Sequence, residues 1–83
     1  MSSQPEFYVI VAGRRGRGAV GLARRTPTEA GPRDETFRRD LTWQPDSAIV
    51  EWEYGDLGAE LVPIDEQEAE NLMQAFRARW RQG

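Results

Sequence analysis

The chain has 83 residues, a net charge of −3, an apolar fraction of 39% and eight aromatic residues (three Trp, two Tyr and three Phe). That composition supports one domain with one modest core rather than a disordered chain, and no apolar run approaches the ~20 residues of a membrane span. There is no Cys, no His and no Lys. Their absence removes disulfides, thiolate and Ser-His-Asp catalysis, Schiff-base chemistry, the phosphate-loop lysine and Cys/His metal ligation.

Residues 1–6 are expected to be a flexible N-terminus. No positive region precedes the first apolar run, so a secretory signal is not expected and the natural location is the cytoplasm. Phe7–Ala12 is a continuous β-branched and aromatic run, the pattern of a central strand buried on both faces. A glycine–arginine loop follows over residues 13–18, then a second strand from Val20 to Arg25 that stops at Thr26-Pro27. After a loop over 28–34, Thr36 to Trp43 alternates: Phe37, Leu41 and Trp43 point one way, Thr36, Arg38, Asp40 and Thr42 the other. This predicts a third strand and completes a three-stranded meander.

Residues 45–55 carry signals for two structures. As a strand, Val50, Trp52 and Tyr54 face the core and Glu51 and Glu53 face water. As a helix, Asp46 or Ser47 caps it, Ala48, Ile49 and Trp52 form the contact face, and Gly55 ends it in the left-handed conformation. Propensity favours the strand, the stop signals favour the helix, and the stops tip the reading to a short helix. Glu60–Ile64 is a short strand confined by Pro63 to an edge or a strand end. The last element is the best defined. Ala69, Leu72, Met73, Phe76 and Trp80 form one helical stripe, with Asp65 as N-cap and Glu68 placed to reach back to it. Acids crowd the first turns and Arg77, Arg79 and Arg81 the last, which matches the helix dipole. The fold class is therefore α+β: a small antiparallel sheet, a meander plus an edge strand, covered by a C-terminal amphipathic helix in a single domain spanning 1–83.

The combination Phe37-Arg38-Arg39-Asp40-Leu41-Thr42-Trp43-Gln44-Pro45, a Gly55-Asp56 stop and Leu61-Val62-Pro63-Ile64-Asp65-Glu66-Gln67-Glu68-Ala69 resembles a loose group of small bacterial proteins. That group has a Phe-x-Arg-Asp-Leu-x-Trp-x-Pro segment, a short acidic helix and an acidic helix start. The likeness covers roughly residues 7–80. Its motifs are packing and capping signals, so it implies no activity and brings no catalytic residue. It adds weight to the helix at 46–54.

Charge is divided along the chain. Residues 1–39 carry eight Arg against four acids, a net +4; residues 40–83 carry three against ten, a net −7, and together these give −3. Two halves that attract each other across one small fold account for this division. Gly16-Arg17-Gly18-Ala19-Val20-Gly21 matches a dinucleotide fingerprint, but Pro27 stops any crossover helix and the chain is too short for the remaining sheet, so it reads as a hairpin loop. Arg14, Arg15 and Arg17, with Arg24 and Arg25 nearby across a hairpin, have the fork chemistry that grips phosphate. The acidic net charge and the missing recognition helix weigh against nucleic acid. The acids from Glu51 to Glu70 lack the rhythm of a hard-metal loop, so neither a metal nor any other cofactor is expected. An acidic surface including Glu51 and Glu53 suits a basic partner instead.

Most of the aromatic load of Trp43, Trp52, Tyr54 and Trp80 reads as core, and any of these exposed near the arginine loop becomes a binding anchor. The residues thus point to a non-catalytic protein-interaction or accessory module, immunity-like or a complex subunit. Its candidate partner surface is Arg14, Arg15, Arg17, Arg24, Arg25, Glu51 and Glu53. A nucleic-acid-binding accessory using loop 13–18 and Arg24/Arg25 is the second reading. No enzyme activity and no membrane partner are expected.

Overall fold

The computed structural model describes residues 4–12, 19–55 and 58–82. Its elements are β1 (Glu6–Ala12), β2 (Ala19–Thr26), β3 (Arg33–Phe37), β4 (Trp43–Pro45), α1 (Ala48–Glu53), β5 (Ala59–Ile64) and α2 (Glu66–Gln82). The strands form one sheet in the order β4-β3-β2-β1-β5, with every neighbouring pair antiparallel. The α+β class and the C-terminal helix agree with the sequence; the sheet has five strands rather than four.

The extra strand arises where Thr36–Trp43 was expected to run straight. Phe37 ends β3, Trp43 starts β4, and a tight turn joins them. Asp40 makes that turn. Its Oδ1 accepts from the Thr42 backbone N–H at 3.1 Å and the Thr42 hydroxyl at 2.6 Å, a local side-chain bond that competes with strand pairing. Arg38 N–H donates to the Thr42 carbonyl and Leu41 N–H to the Arg38 carbonyl, both at 2.8 Å, and Leu41 takes the left-handed φ of 66°. Phe37 and Trp43 still share a face because they are now direct cross-strand partners, with ring centroids 5.3 Å apart.

Both faces of the sheet are covered, but Phe7 to Val11 of β1, expected to be buried on both faces, are half-buried. Leu22 and Ala23 of the middle strand β2 are wholly buried instead, because β1 lies one strand from the β5 edge. On one face α2 lays Phe76 against Leu22 and Phe37, with Leu41, Trp43, Ile64, Leu72, Met73 and Trp80 packed around them. Ala69 and Phe76 are fully buried, as the stripe predicts. Asp65 caps the helix, its Oδ1 accepting from the Glu68 N–H at 2.7 Å. The opposite face holds Ala23, Ile49 and Leu61, flanked by Tyr8, Ile10 and Trp52.

That second cluster decides between strand and helix at 45–55. The helix α1 buries Ala48 and Ile49 and leaves Val50 exposed, whereas a strand would have turned Val50 inward. Asp46 Oδ1 accepts from the Ala48 N–H at 2.8 Å, and Gly55 closes the helix at φ 79°. Strand β5 pairs only with β1, and its Pro63 sits on this edge, where a missing N–H is tolerated.

Burial of Phe76 ties α2 to the sheet. Phe76→Ala is expected to lower unfolding free energy by about 3–5 kcal/mol, read by urea denaturation, because the flat aromatic site opposite Leu22 and Phe37 cannot collapse. A midpoint equal to the parent's would show that the helix does not depend on this contact.

Candidate functional site

The arginines singled out from the sequence separate into distinct groups. Arg14, Arg15 and Arg17 lie outside the described residues. Arg24 and Arg25 are consecutive on β2, and strand alternation sends them to opposite faces of the sheet. Arg24 joins Glu35 through Nη2 at 2.7 Å and Nε at 3.2 Å, and its guanidinium lies 4.2 Å from the Trp43 ring centroid. Arg25 forks onto Asp34, Nε at 2.8 Å and Nη2 at 3.0 Å, and also reaches both Glu53 oxygens at 3.1 Å. The two arginines therefore do not converge on one surface. Hydrogen bonds to Asp34 and then Glu53 raise the Arg25 pKa further above its ordinary value, so the group stays charged at every working pH.

Glu51 and Glu53 are both exposed, but Glu53 is engaged by Arg25 of its own chain, and Glu51 accepts from the Ser47 hydroxyl. The charge division has a structural counterpart: Arg25–Glu53 and Arg38–Asp46, the latter at 2.6 Å, join the basic half to the acidic half. The pairs Arg24–Glu35 and Arg25–Asp34 lie within the basic half. Among the described residues no group of three or more Asp or Glu is placed to hold a metal ion, and no helix is long and apolar enough to cross a membrane.

A different set of residues converges. At the C-terminal end of α2, a groove of about 470 Å³ is lined by Val20, Phe37, Arg38, Arg39, Arg79 and Trp80. Its floor is aromatic: Trp80 stacks on Phe76 with centroids 5.0 Å apart and planes 6° apart, and on Phe37 at 5.9 Å and 27°. Val20 is 52% exposed on the rim. Arg38 is held by Asp46; Arg39 and Arg79 have no carboxylate partner among the described residues. Arg79 lies 5.6 Å from the Phe76 ring centroid, which directs it along the helix toward the groove floor. The opposite end of α2 carries a smaller cleft of about 330 Å³ whose lining includes Glu6, Phe7, Ile64, Asp65 and Glu66, so the two ends of the helix present opposite charge.

Sequence reasoning missed this groove. Arg38 reads as part of the outer face of a straight strand, and Arg79 as a dipole-matched helix end. The turn at Asp40 and the seating of α2 bring them together.

No protein-family model, no curated protein and no solved structure matches the chain.

Burial separates the two acids of the Arg25 pair, whose side chains are 11% exposed at Asp34 and 49% at Glu53. Asp34→Ala is expected to cost about 1.5–3 kcal/mol, since a charge-assisted fork is lost in a part-buried site. Glu53→Ala costs about 1 kcal/mol or less, being screened by solvent. Urea unfolding of both variants reads the order, and the reverse order would contradict the geometry. Tyr8 gives a pH test. Burial raises its pKa above the ordinary 10.0, and the charge of Glu6, which accepts from its hydroxyl at 3.2 Å, adds to the rise. The folded state holds this proton more tightly than the unfolded chain, so stability is full below about pH 10 and declines as pH rises past it. Tyr8→Phe removes that part of the decline, measured as melting temperature against pH; an unchanged profile would contradict it.

Proposed function

We propose that the chain is a non-catalytic protein-interaction module, an accessory or immunity-like subunit acting in the cytoplasm, and that it meets its partner at the groove of Val20, Phe37, Arg38, Arg39, Arg79 and Trp80. The observation that carries this reading is the composition of that groove. It joins Trp and Arg, the residue types that dominate binding hot spots, at a concave site with an apolar floor and a charged rim. The missing His, Cys and Lys support a role without catalysis. Glu51, exposed on α1, offers a secondary polar contact on the other sheet face.

Nucleic-acid binding draws less support. Arg24 and Arg25 are engaged by Glu35, Asp34 and Glu53 on opposite faces, so no continuous basic track runs between them. Such a track is what a phosphate backbone needs. Loop arginines Arg14, Arg15 and Arg17 remain candidates for either partner.

Site-specific crosslinking tests the reading. A photoreactive residue in place of the exposed Val20 is expected to give one discrete protein adduct in the native host, and the same probe in place of the exposed Tyr54 is expected not to give it. Adducts to RNA or DNA, or none at Val20, would overturn it.

A further inference from the structure

We infer that the occupant of this groove is a linear acidic peptide segment bearing an apolar side chain; this rests on the interaction reading above and names the partner's chemistry. Charge complementarity carries the inference. Arg39 and Arg79, with no carboxylate partner among the described residues, stand on the rim of a site with no acid among its described lining residues, and their forks match carboxylates two oxygens at a time. Between them the floor of Phe37 and Trp80, with Val20 on the rim, takes an apolar side chain out of water.

The size of the site selects a segment rather than a folded face. A cleft of about 470 Å³ accommodates a side chain or two with their backbone, which is what a linear segment inserts. Charge selects a short carboxylate segment over a long polyanion. The whole chain carries a net −3, its groove arginines included, so the groove is a local positive spot in a negative field, and a long phosphate chain would meet the acids of α2 beyond it. The Trp80 ring also favours an apolar side chain over a base, because it is already stacked on Phe76 and Phe37.

The test is selection of random linear peptides displayed on phage against the whole chain, followed by affinity measurement on the enriched peptides. The expected peptides carry acids on either side of an apolar residue and bind more weakly as salt rises. Arg39→Glu and Arg79→Glu each lower their affinity by roughly tenfold, while an Arg33→Glu control leaves it unchanged. Unfolding midpoints equal to the parent's show that these variants fold. Enrichment of peptides without acids, enrichment unaffected by Arg39→Glu and Arg79→Glu, or no enrichment would overturn the inference. So would tighter binding of a single-stranded RNA oligonucleotide at the same arginines, or occupation of the groove by a second copy of the chain in sedimentation. If a Val20 crosslink captures a protein whose binding ignores both charge reversals, the interaction reading stands and this inference fails.

Discussion

The structure depends on β2 being the middle strand of a sheet buried on both faces. In four consecutive residues it sends Leu22 and Arg24 to the α2 side and Ala23 and Arg25 to the α1 side. Leu22 and Ala23 are wholly buried, each at the centre of its own core cluster. A shift of register by one residue would exchange all four at once, placing arginines where the aliphatic contacts are. Arg24 and Arg25 act with that constraint, because their carboxylates on β3, Glu35 and Asp34, sit directly across the ladder from them. Apolar burial and ion pairing thus specify the same alignment of β2 on β3.

Gly21 adds a third, local constraint. It faces Ile10 across the ladder, and a Cβ there would lie 3.2 Å from the Ile10 Cδ1, so the Ile10 side chain packs over the space that glycine leaves and would have to shift for a larger residue. The pairing slips just beyond this point, where Val20 is the extra residue on β2 between the partners of Ile10 and Val11. Strand β2 is therefore fixed by packing at one end and by charge at the other. This leaves the chain's arginines with two kinds of work. Those on β2 align the sheet, whereas Arg39 and Arg79 reach a concave surface from a turn and a helix end.

Much of the architecture was legible because period and punctuation agree in it. The stripe from Ala69 to Trp80 has one period and a cap at Asp65, and α2 follows it closely. At α1, β-propensity and stop signals disagreed, and the stops at Asp46 and Gly55 won because the helix buries Ala48 and brings Ile49 into the second core cluster. The stretch from Phe37 to Trp43 misled because a turn of this kind returns Phe37 and Trp43 to one face, which looks like strand alternation; Asp40 was the signal that it turns. The opposed faces of Arg24 and Arg25 were implicit in strand alternation, but their partners depend on the β2–β3 register. The groove was not legible at all, since its arginines come from β3's turn and α2, distant in sequence and adjacent only after packing.

The division of the arginines into aligning and surface groups is the central claim, and equilibrium urea unfolding of four single variants tests it most directly. Arg24→Ala and Arg25→Ala are predicted to lose about 1.5–3 kcal/mol each, because each strands part-buried carboxylates. Arg39→Ala and Arg79→Ala are predicted to stay within about 0.5 kcal/mol of the parent. Parent-like stability in the first pair, or a large loss in the second, would contradict it.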